Sequence, residues 1–216
     1  MNMFWLDLDP TIAARWNQDA HVVKMPLEGA QMMCAAFAEP VDMVWRALDP
    51  ASRLSRGQLP YEWSNPNHPV SLWVRATLGN FRKTGEFMLA LLDEHAFRYG
   101  GSHKTRAVVE WALANEASAS RLVSRDLSMT PPVKMVGDAD ALAGDVAEAY
   151  KAYYLREKQG HWRKSLLRRE LVWVKATWRR RGPPSWWREA PPPKTPTAAQ
   201  LVRLNLKTID GWMIRQ

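Results

Sequence analysis

The chain is poor in what most enzyme classes and membrane proteins display. It has a single cysteine, Cys34, among 216 residues. No intrachain disulfide can form, and zinc sites built on cysteine pairs are excluded. Cys34 sits in the apolar run Met32–Phe37 and reads as a buried structural thiol, because reactive thiols need electropositive, partly exposed surroundings. No run approaches the ~18 apolar residues of a membrane span. Met1–Pro10 has no basic leader and carries Asp7 and Asp9, unlike a signal peptide. The expectation is an intracellular protein with no membrane partner. There is no Walker A sequence, Rossmann fingerprint or nucleophile elbow. His21, His68, His95, His103 and His161 never form the i,i+4 pair of a helical zinc site, so no metal ligand set is expected.

Two things are abundant: tryptophan, at 12 residues, and positive charge, at a net +8 with pI ≈ 9.8. The charge is concentrated. From Lys151 to Arg188, 12 Lys and Arg face only Glu157 and Glu170, a local +10 that leaves −2 for the rest of the chain. A basic block on a nearly neutral body is the footprint of an anionic partner. Within it, Lys158, Trp162, Arg163, Lys164, Arg168, Arg169, Arg179, Arg180, Arg181, Trp186 and Trp187 combine phosphate-neutralising cations with rings that stack on bases, the pattern of a nucleic-acid surface. An acidic protein or a membrane surface would satisfy the charge too, and Tyr150, Tyr153, Tyr154, Trp173 and Trp178 read equally well as core.

The hydrophobic spacing predicts an all-α chain, with at most a short strand over Met3–Asp9. Helices are expected from about Thr11, with Asp9 or Thr11 as cap, from Val22 to Phe37, from Asn67-His68-Pro69 onward, over Glu86–Phe97 with Gly100-Gly101 as stop, and from His103 to Ala117. Asp145 would cap a tyrosine-rich helix that continues through the basic segment to about Arg181. Pro26 fits only the first turn of its helix. Glu39–Asn67 reads as a long connection and Ser118–Asp140 as a loop. The organisation expected is a catalytic and DNA-binding body over 1–188, a proline-rich linker over 189–197 and a tail over 198–216.

Three smaller clusters suggest chemistry. At about 100° per residue, His21, Lys24, Glu28 and Gln31 fall within an arc of roughly 80° on one helix face, with Asn17 extending the stripe. Such a face lines a polar pocket, or is a solvated face with a Lys24–Glu28 ion pair. His68, held extended before Pro69 at a helix start, suits an anion or is a plain surface histidine. Arg98, His103 and Lys104 surround a glycine turn that could hold phosphate or simply join two helices.

The strings LDLDP, DAHVVKMPLEGAQM, NHPVSLWVR, RYGGSHK, AYKAYY and PPSWW, in this order, resemble a family of small phage and large-virus proteins. It is identified with the amino acid:DNA transferases of phage thymidine hypermodification. The resemblance covers Met1 to about Trp187. Pro26 stands where an aliphatic residue is expected, and Asn17-Gln18-Asp19-Ala20 where the family has a run ending in Cys-Asp-Lys. A cysteine or lysine acting there would be absent from this chain. The resemblance implies a transferase in the host-cell cytoplasm. Its DNA substrate carries 5-hydroxymethyluracil activated as a pyrophosphate ester, and an amino acid or amine displaces the pyrophosphate. Under it His21 or Glu28 takes the amine proton, with Lys24 and Gln31 in the same catalytic group. His68, Arg98, His103 and Lys104 bind phosphate, and the basic segment holds double-stranded DNA with the target base flipped out. No cofactor is required, though Mg²⁺ on Asp7 or Asp9 would be compatible. The alternatives are a glycosylase-like DNA enzyme and a non-enzymatic DNA-binding accessory protein.

Overall fold

A computed structural model describes residues 2–37, 60–61, 65–137, 144–165, 168–209 and 212–215. They form helices α1 (Pro10–Trp16), α2 (Asp19–Cys34), α3 (Pro69–Ala76), α4 (Leu78–Tyr99), α5 (Arg106–Ala114), α6 (Val146–Glu157) and α7 (Ala198–Arg203), a short 3₁₀ turn at Glu116–Ser118, and strands β1 (Gly160–Ser165), β2 (Glu170–Lys175) and β3 (Met213–Arg215). The expectation of an all-α chain is therefore corrected to a mixed fold, helical with a small three-stranded sheet.

The helix ends follow local chemistry. Asp9 accepts from the Thr11 and Ile12 N–H groups at 2.7 and 3.1 Å and starts α1. Asp145 accepts from Glu148 N–H at 3.0 Å and starts α6. Gly100, at φ +78°, ends α4 in the left-handed conformation that glycine adopts without strain. Thr77 is extended and separates α3 from α4. Its hydroxyl accepts from Asn80 N–H, while the Leu78 and Gly79 N–H groups donate to the Ser124 and Asp126 carbonyls. The loop after α5 thus supplies the acceptors that the first turn of α4 lacks within the helix.

The long helix α4 is the centre of the fold, with α1, α2, α3 and α5 packed against it. Met3–Leu6, expected as a strand or extended segment, forms no strand but runs buried through this core. Trp5 lies against Phe87, with ring centroids 4.3 Å apart. Cys34 is buried. The expected connection over Glu39–Asn67 lies for the most part outside the described residues.

The basic segment departs most from the helical expectation. Helix α6 stops at Glu157, and the chain turns into the antiparallel hairpin β1–β2, with Trp162 opposite Trp173. Residues 170–175 read Glu-Leu-Val-Trp-Val-Lys, and β-branched and aromatic side chains favour a pleated, half-buried surface. Gly160 lets the strands approach, since a Cβ there would collide with the Val174 carbonyl oxygen and the Trp173 ring. The tail, whose Leu201, Leu204, Leu206 and Ile209 spacing predicts a helix, is helical among its described residues only over Ala198–Arg203. After α7 it adds β3 in parallel to β2, with Leu171 beside Ile214.

Candidate functional site

Helix α2 begins three residues earlier than expected and carries Pro26 in its interior rather than in its first turn. Its buried side is Val22, Met25, Pro26, Gly29, Ala30, Met32 and Met33. On the other side His21, Glu28 and Gln31 are half-buried and Lys24 is exposed. Lys24 Nζ and Glu28 Oε1 form an i,i+4 ion pair at 3.0 Å. The glutamate is thus already partnered, and the half-buried histidine is the distinctive group of the stripe.

Asn17, between α1 and α2, donates through Nδ2 to the Phe4 carbonyl at 3.1 Å and the Ala13 carbonyl at 2.8 Å. Its Oδ1 is therefore the acceptor for the Tyr154 hydroxyl, which donates to it at 2.6 Å. Tyr154 also accepts from the Gln18 N–H. Its one proton being committed, its hydrogen bond to His21 Nδ1 requires Nδ1–H to be the donor. That tautomer leaves the Nε2 lone pair free to take a proton. The ring is stacked on Phe4, centroids 4.3 Å apart. Lys158 Nζ lies 5.5 Å from the Phe4 centroid and 5.0 Å from that of Tyr153. Burial, reinforced by the Lys158 and Lys24 ammonium groups, pushes the His21 pKa down to about 3. A neutral imidazole between two cations is the result.

The four expected phosphate ligands are not brought together. Arg98 is fully buried. Its Nε donates to Glu94 at 2.7 Å, Nη1 to Asp19 at 2.9 Å and Nη2 to the Arg15 carbonyl at 3.0 Å. It ties α4 to the start of α2 and presents no free face to an anion. His103 accepts from Thr105 N–H at 3.2 Å and donates to the Val23 carbonyl. Burial first, then His95 and Lys104, lowers its pKa. Of Arg98, His103 and Lys104, only Lys104 is exposed. His68 caps α3, accepting from Val70 N–H at 3.3 Å, and burial lowers its pKa against the opposing pull of Glu28. It therefore lies beside the α2 stripe rather than the glycine turn.

The basic segment divides in two. Arg163, Arg168 and Arg169 are exposed on the hairpin and Lys164 is partly so, while Trp162 is buried. Trp186 and Trp187 do not stand out as stacking platforms. Trp186 meets Trp16 and Tyr154 edge-on, with centroids 6.0 and 6.3 Å away, and Trp187 meets Trp178 at 4.9 Å. Arg179 and Arg180 are exposed and Arg181 half-buried. The Arg179 N–H donates to both oxygens of Asp19 at 2.9 and 3.0 Å, and Arg181 donates to Glu94 at 2.5 and 2.8 Å. Burial raises the Glu94 pKa, but Arg181 and Arg98 outweigh it and hold the carboxyl below its usual range.

Sequence reasoning placed Asn17 on the stripe but assigned no function to it, to Tyr154 or to Phe4. Asn17 carried a signal, its i−4 spacing from His21. Tyr154, 133 residues away in sequence, carried none. Asp7 and Asp9 each accept backbone N–H groups through Oδ1 in a capping turn. Among the described residues no group of three or more His, Cys, Asp or Glu is placed to hold a metal ion. Nor is any described helix long and apolar enough to cross a membrane. Compared with models of known families, with curated proteins and with solved structures, the chain matches none.

Proposed function

We propose that the protein is a DNA base-modifying transferase, replacing the pyrophosphate of activated 5-hydroxymethyluracil with an amino acid or amine. The observation that carries this reading is the neutral His21 imidazole, its Nδ1–H engaged by Tyr154 and its Nε2 lone pair left for a proton. In the reaction the amine nitrogen bonds to the exocyclic methylene carbon. The carbon–oxygen bond to pyrophosphate breaks, its electron pair leaving on oxygen, and the proton lost from the amine passes to Nε2. His21 is a weak base in the free protein. Burial is the larger cause of its low pKa, and a bound pyrophosphate offsets the smaller part that comes from Lys158 and Lys24. The same two ammonium groups stabilise the charge developing on the leaving group. The target base must leave the duplex to reach His21, and the exposed arginines of the hairpin supply sequence-independent contacts to the strand.

Mass spectrometry of nucleosides tests this, on DNA bearing pyrophosphorylated hydroxymethyluracil incubated with the protein and a mixture of amino acids. A thymidine-derived adduct, lost with His21→Ala, is expected. Adduct formation unchanged in His21→Ala would remove the base assignment. Unmodified DNA despite salt-sensitive binding would favour the accessory DNA-binding reading, and abasic sites the glycosylase-like one.

A further inference from the structure

Away from His21, three arginines meet at one recess. Arg15, in the last turn of α1, joins Arg180 and Arg181 around Gly182, Pro184 and Ser185, enclosing about 360 Å³. Two of the three are held in place. Arg181 uses two N–H groups on Glu94, and its guanidinium covers the Phe97 ring at 4.2 Å. Arg180 adopts φ +58°, a conformation that residues with a side chain rarely take, and donates Nη1 to the Phe97 carbonyl at 2.9 Å. A guanidinium has five N–H donors, so Arg181 keeps three and Arg180 four for a ligand.

Among the described residues, no acidic one lines the recess itself. Glu94 is shared by Arg98 and Arg181 and Asp19 pairs with Arg98, while Asp9, Glu86, Asp93 and Glu94 lie with Arg15 and Arg181 around an adjoining recess. Preset guanidinium forks around a small concavity suit a tetrahedral oxyanion. Across Pro183 lies a second recess, of about 550 Å³, lined by Thr177, Trp178, Arg179 and Trp187 together with the carboxylates of Asp19 and Glu189, of which Asp19 is held by Arg98 and Glu189 by Lys175. Pro183 belongs to both, so an arginine-lined and a tryptophan-lined recess adjoin.

We propose that Arg15, Arg180 and Arg181 form a binding site for a backbone phosphate of a nucleic-acid strand, with the neighbouring nucleotide lying in the Trp178–Trp187 recess. This rests on the reading of nucleic acid as the partner and adds to it a fixed point of strand attachment that Arg15 completes. Binding of an unmodified, labelled oligodeoxynucleotide to the full chain is measured by fluorescence anisotropy across a salt series. Arg15→Gln combined with Arg180→Gln changes two exposed side chains, and Arg203→Gln on α7 controls for loss of charge alone. The double variant is expected to bind about tenfold more weakly and to lower the salt slope by about 1, whereas Arg203→Gln stays near wild type. Equal affinity in wild type and double variant overturns the site while leaving nucleic acid as partner. No binding by the wild type overturns both. If inorganic pyrophosphate binds the wild type and not the double variant, while oligonucleotide affinity is unaltered, the recess takes the free anion and the strand assignment fails.

Discussion

Replacing Tyr154 with Phe removes one oxygen and keeps a ring that is fully buried between Phe4 and Trp186. That oxygen donates to Asn17 Oδ1 and accepts from His21 Nδ1–H and the Gln18 N–H. Asn17 cannot rotate to compensate, because its amide nitrogen is held by two carbonyls. A buried polar group left unpaired costs roughly 1–3 kcal/mol. Counting Asn17 and Gln18, and allowing the half-buried His21 to find water, Tyr154→Phe should destabilise the protein by about 2–6 kcal/mol in urea unfolding. The second readout is the histidine ring. Nitrogen-15 correlation spectra of the wild type should show His21 protonated on Nδ1 with a bare Nε2. In the variant the Nε2–H form should appear, and transfer should slow even at temperatures where the variant is folded. A wild-type His21 protonated on Nε2 would refute the tautomer argument, and with it the assignment of Nε2 as proton acceptor.

Stability should also depend on pH through His21. Its folded pKa of about 3 lies below the ordinary 6.5, so the unfolded chain takes up the proton first. The contribution is complete above about pH 6.5 and is lost as pH falls from there toward 3, by at most about 1.4 kcal/mol per unit. Unfolding curves of His21→Gln should be flatter than wild type between about pH 6.5 and 4.5, with the parts from His68, His103 and His161, lowered in the same direction, remaining; identical slopes would contradict this. Arg98→Met should destabilise by about 3–5 kcal/mol, because it leaves Glu94 and Asp19 short of a buried partner. A variant of wild-type stability with weakened phosphate binding would instead restore Arg98 as an anion ligand.

The elements that local chemistry dictates were legible in advance. Asp9 and Asp145 at helix starts and Gly100 at a helix end act on the adjoining turn, and their spacing to the first or last periodic residues announces them. The polar stripe His21, Lys24, Glu28 and Gln31 was visible for the same reason, since a helix converts sequence spacing directly into a shared face. The hairpin was not. Tyr150, Tyr153 and Tyr154 set a helical rhythm that the basic residues after them do not interrupt, and the strand preference of Leu171–Val174 takes effect only when β1 and β3 pair with it.

Charge was the other blind spot. Composition established that the surface is basic and concentrated between Lys151 and Arg188, because charge adds up whatever the fold. Which arginines face outward it left open. Arg98 and Arg181 look alike in sequence, yet Arg98 is spent in the core and Arg181 opens onto a recess with Arg15. Periodicity, caps and net charge are properties of neighbours along the chain, and the sequence by itself determined them. Burial of an ion, the tautomer of His21 and its pairing with a tyrosine on α6 depend on groups far apart in sequence, and tertiary packing alone decided those.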